Sequence, residues 1–514
     1  MADDSSPDPA ADAAEKGLKT YLSGLSYLAT ASQNGISALF RYANEFIIPY
    51  MLATNYFRDV EAAKLWKGDP HQTIRDYTDL GRFNLDLCHR ALRGALNAFG
   101  DYFRLESSTA MQAVVPLLFC GDGSSLERLI QRKAELLTLM AYRYPHAIQA
   151  IEPEYGFHFE RGTSPKIAET DRFVLYQVLP SDSSVAVRGG GKPILILPPY
   201  VLGANILGFL PGENRSYAHS FANQGIPTYI RILKDIQTTE ALQVMTGEDD
   251  ARDTRTFCEA LRERHGRGIT LNGYCQGGFS ALCNLLSGEL DGLVDAFISC
   301  VAPMDGTRSE GLSSFLANLP KRFNDLGYGT KTLPNGNQVA DGKLMGWVYK
   351  LRSIEDESPI AAFYRDLLMF ASQRSTEFTI SKTAAGLNYW LNNERNDLPM
   401  AITRMSFVSY NTPITADGTL PVKLFGRKLN LRRLQAKQIP WLICYGLNDN
   451  LVEPPTALAP LDHLEAEVAA FPKGHVAMAT SWSDPNSACA LHTRFGEKQH
   501  RGPVRFQLDL ETGV

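Results

Sequence analysis

Between about residues 172 and 305 the chain alternates short, continuous apolar runs with amphipathic stretches. The runs are Phe173-Val-Leu-Tyr-Gln-Val178, Pro193-Ile-Leu-Ile-Leu197, Pro227-Thr-Tyr-Ile-Arg-Ile232, Ile269-Thr-Leu-Asn272 and Ala296-Phe-Ile-Ser-Cys300. Pro440-Trp-Leu-Ile-Cys-Tyr445 resumes the series much later. Helical patterns such as Arg252–Arg264 and Gly278–Leu286 lie between several of them. Apolar strands alternating with helices predict a mostly parallel sheet covered on both faces. Upstream, residues 17–155 read as helical. Leu25, Leu28, Ile36, Leu39, Phe40 and Tyr42 form an uneven stripe, and 74–104 and 124–144 mix apolar and charged residues at spacings of three and four. Between 306 and 435 the strand rhythm disappears, while 341–351 and 359–373 have helical patterns. That stretch is expected to be a cap over the sheet's carboxyl edge, where open α/β sheets bind ligands. Six segments follow: a disordered tail (1–16), a helical N-terminal region (17–165), the first part of the α/β core (166–305), the cap (306–435), the second part of the core (436–492) and a C-terminal tail (493–514).

The sharpest chemical signal is Gly273-Tyr-Cys-Gln-Gly-Gly278, which follows a strand and opens a helix near Gly277. Gly-x-nucleophile-x-Gly is the pattern of a nucleophile elbow, a tight strand-to-helix turn that lifts a reactive atom above a sheet. The new helix aims its N-terminal N–H groups at the Cys275 sulfur, which favours the thiolate, the reactive form. The other cysteines lack this setting and read as small buried apolar residues. A cysteine nucleophile needs a base, and the base an orienting group. In folds with this elbow the chain order is nucleophile, acid, histidine. Of the histidines after Cys275, His463 reads as helical and His492 and His500 fall in a polar tail. His475, in Pro472-Lys-Gly-His475, follows the apolar run Val468–Phe471 and is the expected base. Asp449 ends the preceding strand and is the expected acid; Asp462, its nearby competitor, reads as helical. The developing oxyanion should be held by the backbone N–H of Gln276 and by one from Tyr200 or Val201, in the Leu197-Pro-Pro-Tyr-Val201 loop. The fold these signals predict is the α/β-hydrolase fold, with a helical N-terminal region and a cap inserted before the Asp/His part.

Composition narrows the field only a little. Across 514 residues, 44% hydrophobic and 21% charged residues are ordinary for a globular protein. A net charge of −5 gives no reason to expect nucleic acid or an anionic membrane as partner. Eight cysteines, none in a C-x-x-C pair, suggest neither a zinc site nor a disulfide framework. The start, Met1-Ala-Asp-Asp-Ser-Ser-Pro-Asp, is acidic and unlike a signal peptide. The most apolar stretch, Pro193 to Pro211, is broken by prolines and glycines and is no membrane span. A cytoplasmic protein with reduced thiols is expected. The lightly charged 17–56 segment also suits adsorption to a lipid or polymer surface. No Gly-rich phosphate loop or metal cluster is evident, so no bound cofactor is expected.

Taken together, the chain resembles the polyhydroxyalkanoate (PHA) synthases over about 160–480, with weaker helical likeness upstream. Gly273-Tyr-Cys-Gln-Gly-Gly278 matches the G-x-C-x-G-G box of that family, and Pro193-Ile-Leu-Ile-Leu-Pro-Pro-Tyr200 is similar to its P-x-L-x-x-P-P segment. Gly162–Lys166 followed by Leu175-Tyr, and Tyr389-Trp390 with Asn392, Asn393 and Leu398-Pro399, are similar to further segments. The resemblance implies a cysteine acyltransferase that takes hydroxyacyl units from coenzyme A thioesters into a polyester, with CoA arriving as part of the substrate. It admits a homodimer and a polymer-granule surface as partners. The chain departs from the family at Asn450, where a histidine is common, at Glu453-Pro454, where a Pro-Trp pair is usual, and in the acidic residue of the cap motif, with Glu394 and Arg395 near its place. Those departures lie where substrate would be held. They leave open a cysteine thioesterase or esterase, or a weakly active synthase-like scaffold.

Overall fold

The computed structural model describes residues 9–481, apart from 66, 68, 121–123, 163 and 376. The expected tail at 493–514 lies outside the described residues, as do His492 and His500. The chain folds into two compact units. Of the described residues, one unit comprises those within 9–52, 81–151 and 353–388; the other comprises those within 53–80, 152–352 and 389–481.

The first unit is helical. It takes most of α1 (Pro9–Lys64) and α2 (Pro70–Cys120), all of α3 (Ser124–Thr138), and a helix at Pro359–Ala371. Helix α1 starts within the expected tail. Ala10-Ala-Asp-Ala-Ala14 is rich in the best helix former, and propensity outweighs the acidic, Pro-containing composition. The unit's interior is built from Leu139, Met140, Tyr144 and Phe370, with Tyr144 and Phe370 ring to edge at 5.0 Å. Tyr42 donates a 2.6 Å hydrogen bond to Asp366. Of the N-terminal apolar stripe, Tyr42 is buried while Leu25, Leu28, Ile36, Leu39 and Phe40 are exposed.

The second unit is built on an eight-stranded sheet: β1 (Lys166–Glu169), β2 (Phe173–Val178), β3 (Ile194–Leu197), β4 (Thr228–Leu233), β5 (Ile269–Tyr274), β6 (Val294–Cys300), β7 (Trp441–Gly446) and β8 (Glu467–Phe471). Their spatial order is β1-β2-β4-β3-β5-β6-β7-β8. β1 and β2 run antiparallel to their neighbours, and every pairing from β4 to β8 is parallel. Strands buried on both faces must be apolar throughout, and all four residues of β3 and all six of β5 are buried. The sheet's faces carry α4 (Gly247–His265) and α5 (Gln276–Ser287), among others. A Thr246–Asp249 capping box starts α4 and Gly266 in the left-handed region ends it. This strand order, with antiparallel β2 and crossover helices after the central strands, is the α/β-hydrolase fold.

Residues 306–352 and 389–435 connect β6 to β7 within this unit. They hold α6 (Gly342–Arg352), close to the 341–351 pattern read from sequence, and α7 (Met400–Asn411), which neither pattern covered; the 359–373 pattern is the helix at Pro359–Ala371 of the first unit. They also hold strands, contrary to the expectation that strand rhythm ends at 306. Thr330–Thr332, Gln338–Ala340 and Leu398–Pro399 form one small sheet and Thr419–Leu424 with Arg427–Asn430 another. The first three are only two or three residues long, too short to show a period of two. The Thr419–Asn430 hairpin does alternate, burying Leu420, Val422 and Leu424. Pro421 inside the strand disguises it.

Register sets the site. Leu197 pairs with Gly273, Tyr274 with Cys300, Cys300 with Cys444, and Gly446 with Phe471. The carboxyl ends of β3, β5, β6, β7 and β8 therefore finish along one edge. The loops leaving that edge carry Pro198, Cys275, Asp449 and His475.

Candidate active site

Cys275 occupies the single-residue turn between β5 and α5, with φ 51° and ψ −125°. This backbone region is sparsely populated for residues with a side chain, and such strain persists only where the surroundings enforce it. They do so here through hydrogen bonds on both sides: Cys275 N–H donates to the Cys300 carbonyl (2.8 Å), and Gly278 N–H to that of Cys275 (2.9 Å). Two glycines make the turn sterically feasible. A Cβ on Gly273 would lie 2.4 Å from the Gly278 Cα, and one on Gly277 2.2 Å from the Leu197 carbonyl oxygen. The helix thus begins at Gln276, one residue before its expected start, pressed against the end of β3. Next along the edge, Val301 also has positive φ (44°), costly for a β-branched residue.

His475 opens α8 (His475–Ser481), and its Nδ1 is 2.8 Å from Asp449 Oδ2. The other Asp449 oxygen accepts from the N–H groups of Leu451 and Val452, both at 2.9 Å. Both carboxylate oxygens are thereby committed, which fixes the imidazole plane. Tyr274 adds a second constraint by donating to the His475 carbonyl oxygen (2.8 Å). The remaining ring nitrogen, Nε2, is buried without a well-aligned hydrogen-bond partner. Cys275 nonetheless lies close enough to act on the ring. Burial disfavours a charged imidazole, but Asp449 and then Cys275 outweigh it and hold the His475 pKa well above the usual value. Sequence reasoning placed Cys275, Asp449 and His475 separately; the fold brings all three together. His463 lies just past a short 3₁₀ turn that contains Asp462. Arg308 engages that carboxylate, which is not tied to His475.

Cys275 is 8% exposed. Three side chains from the connection between β6 and β7 lie near it, and sequence reasoning identified none of them. Ser406 accepts a 2.7 Å hydrogen bond from the Gln276 side chain. Tyr349 of α6 and Tyr410 of α7 have phenol pKa values raised by burial and further by the nearby Cys275; that of Tyr349 is pushed up to about 12. The two departures beside Asp449 both touch the inserted segment, Asn450 through its backbone and Glu453 through its side chain. The Asn450 carbonyl accepts from Arg352, and Glu453 accepts from the Gly311 N–H (2.9 Å), so both residues fasten the inserted segment to the acid loop.

Of the expected oxyanion groups, Gln276 begins α5 and Tyr200 and Val201 lie on the loop after β3, all three buried. The Tyr200 phenol is anchored beneath that loop. It donates to Asp250 (2.6 Å) and accepts from Arg231 (3.0 Å), which itself pairs with Asp250. Among the described residues, no cluster of three or more His, Cys, Asp or Glu side chains is placed to hold a metal, and no helix is long and apolar enough to cross a membrane.

No family model matches the chain, and no curated protein matches it. Solved structures similar to it include an alpha/beta fold family hydrolase from Bacillus anthracis str. Sterne, at 14% identity and TM-score 0.34, covering 62% of this chain and 94% of that one. Others are the 2-hydroxy-6-oxo-6-phenylhexa-2,4-dienoate hydrolase from Rhodococcus sp. strain RHA1 (12%, 0.31, 62% and 94%) and the thioesterase domain from the curacin biosynthetic pathway (11%, 0.32, 62% and 95%). The strand order and the strained turn at Cys275 define the fold.

Proposed function

We propose that the protein is an acyltransferase of the PHA-synthase type, which accepts hydroxyacyl groups from coenzyme A thioesters on Cys275 and passes them to a hydroxyl. The observation that carries this reading is the enclosure of a buried Cys–His–Asp constellation by Ser406, Tyr349 and Tyr410 from the inserted segment. A transferase has to keep water from its acyl intermediate, and enclosure does that.

In the first half-reaction the Cys275 sulfur attacks the thioester carbonyl as His475 Nε2 takes the thiol proton. The tetrahedral oxyanion is held by backbone N–H groups of Gln276 and the Tyr200–Val201 loop. Collapse breaks the carbon–sulfur bond to CoA, whose sulfur receives the proton from His475. One thioester replaces another, so the acyl group stays activated. In the second half-reaction an incoming hydroxyl loses its proton to His475 and attacks the acyl-cysteine. An ester forms, and the proton returns to the Cys275 sulfur. Asp449 keeps Nε2 facing the reacting atoms and stabilises the imidazolium.

Incubation with 3-hydroxybutyryl-CoA tests the reading by following free CoA, free acid and insoluble polymer together. CoA with polymer is the expected result. CoA with stoichiometric free acid would make the protein a thioesterase on the same machinery, and no CoA release would favour a scaffold.

A further inference from the structure

The loop after β3 is gripped from above by the segment Trp390–Asn396. The Asn396 side-chain amide donates to the Tyr200 carbonyl (3.0 Å), and its backbone N–H to the Val201 carbonyl (3.0 Å). Trp390 Nε1 donates to the next carbonyl, that of Leu202 (3.0 Å). Farther along, Asn205 donates to Glu394 (2.7 Å), which also accepts from Tyr155 (3.0 Å). Three successive carbonyls of one loop are thus held by a single neighbouring segment.

In a planar trans peptide the C=O and the following N–H point in opposite directions, and no cis bond is present. Holding the Tyr200 and Val201 carbonyls toward Asn396 therefore turns the Val201 and Leu202 N–H groups together to the far side, an arrangement suited to an anion. Neither N–H donates a hydrogen bond among the described residues, although Val201 and Leu202 are 4% and 6% exposed. Buried N–H groups without partners are rare and call for a ligand.

We infer that Asn396 is a positioning residue that aims the Val201 and Leu202 amides at the acyl oxygen, making the inserted segment part of the oxyanion-stabilising machinery. This rests on the acyl-cysteine reading and extends it. Leu202 joins the donor set, and a residue that never meets the substrate controls the transition state. The Asn396 side chain governs the Val201 amide through the Tyr200 peptide. Its backbone N–H governs the Leu202 amide and survives side-chain substitution.

Asn396→Asp tests this, because a carboxylate keeps the shape but cannot donate to a carbonyl. Acylation of Cys275 is followed with p-nitrophenyl butyrate and with 3-hydroxybutyryl-CoA. Alkylation of Cys275 by iodoacetamide, which passes through no oxyanion, reports on the integrity of the triad. The expected result is an acylation rate lowered about tenfold or more with KM changed less than about twofold and alkylation unchanged. Trp390→Phe, acting one peptide farther on, should have a smaller effect. Wild-type acylation rates in Asn396→Asp, or an equal fall in alkylation, would overturn the positioning role alone. A wild-type protein that forms no acyl-Cys275 from either substrate would overturn it together with the proposed function.

Discussion

Cys88 is exposed and Cys275 buried, so accessibility alone would have a thiol reagent label Cys88 first. If the elbow and His475 activate Cys275, the order reverses and iodoacetamide maps first to Cys275. Burial pushes up the thiols of Cys258, to about 12, and of Cys283, so neither should compete. Cys275→Ala should abolish turnover, while Cys283→Ala and Cys300→Ala keep most of it; labelling of Cys88 ahead of Cys275 would count against activation. His475→Ala should cost more than Asp449→Asn, which removes the orienting carboxylate and is expected to lower the rate at least about a hundredfold; full activity in either variant would mean a different base or acid. The same pair has a pH signature. Asp449 and Cys275 raise the His475 pKa against burial, so the folded chain keeps a proton that the unfolded chain releases near pH 6.5. That contribution to stability is complete below the unfolded value and is lost as pH rises through the folded one. Denaturant midpoints measured upward from about pH 6.5 should therefore fall more steeply in wild type than in Asp449→Asn; parallel curves would speak against the coupling. These three residues were legible in the sequence because each follows a strand end in the order the fold demands. Ser406, Tyr349, Tyr410 and Asn396 were not, since no local motif marks a side chain that a long insertion brings back over the sheet.

The turn into α5 works only because β3 and the helix approach within a backbone's width at Gly277. In Gly277→Ala the new Cβ meets two carbonyl oxygens, those of Leu197 at 2.2 Å and Pro198 at 2.5 Å. Backbone cannot move aside as a side chain can, so a loss of about 2 kcal/mol or more is expected, with activity falling because the loop after β3 shifts. Gly190→Ala, with nothing within 4 Å of its Cβ, should stay within about 0.5 kcal/mol of wild type. Urea midpoints for the two variants check this, and equal effects would mean that the close approach is not what the glycine serves. Most of the sheet could be read in advance because buried parallel strands write themselves as unbroken apolar runs. The hairpin at 419–430 escaped notice because Pro421 interrupts its alternation, and the helical start at residue 9 because composition obscured a local alanine run.

At the scale of the whole molecule, the sheet is interrupted in sequence between β6 and β7. Trp441 at the start of β7 donates a 2.9 Å hydrogen bond to Ser299, 142 residues earlier, and packs on Phe297 with ring centroids 5.1 Å apart. Closing so long a loop costs entropy before any contact repays it, whereas α1, α2 and α4 need only local bonds. Refolding from urea should accordingly proceed in two stages. Far-UV circular dichroism recovers early, and the fluorescence change that disappears in Trp441→Phe recovers late, in step with activity. Activity that returned together with the helical signal would contradict this order. The nucleophile strand β5 pairs with β3 and β6 from nearby sequence, but the acid and base reach the edge only after β7 and β8 dock. On the proposed acyl-cysteine reading, a partly folded chain would hold its cysteine in place without the groups that make it reactive, and would be protected from acylation before the enclosure exists.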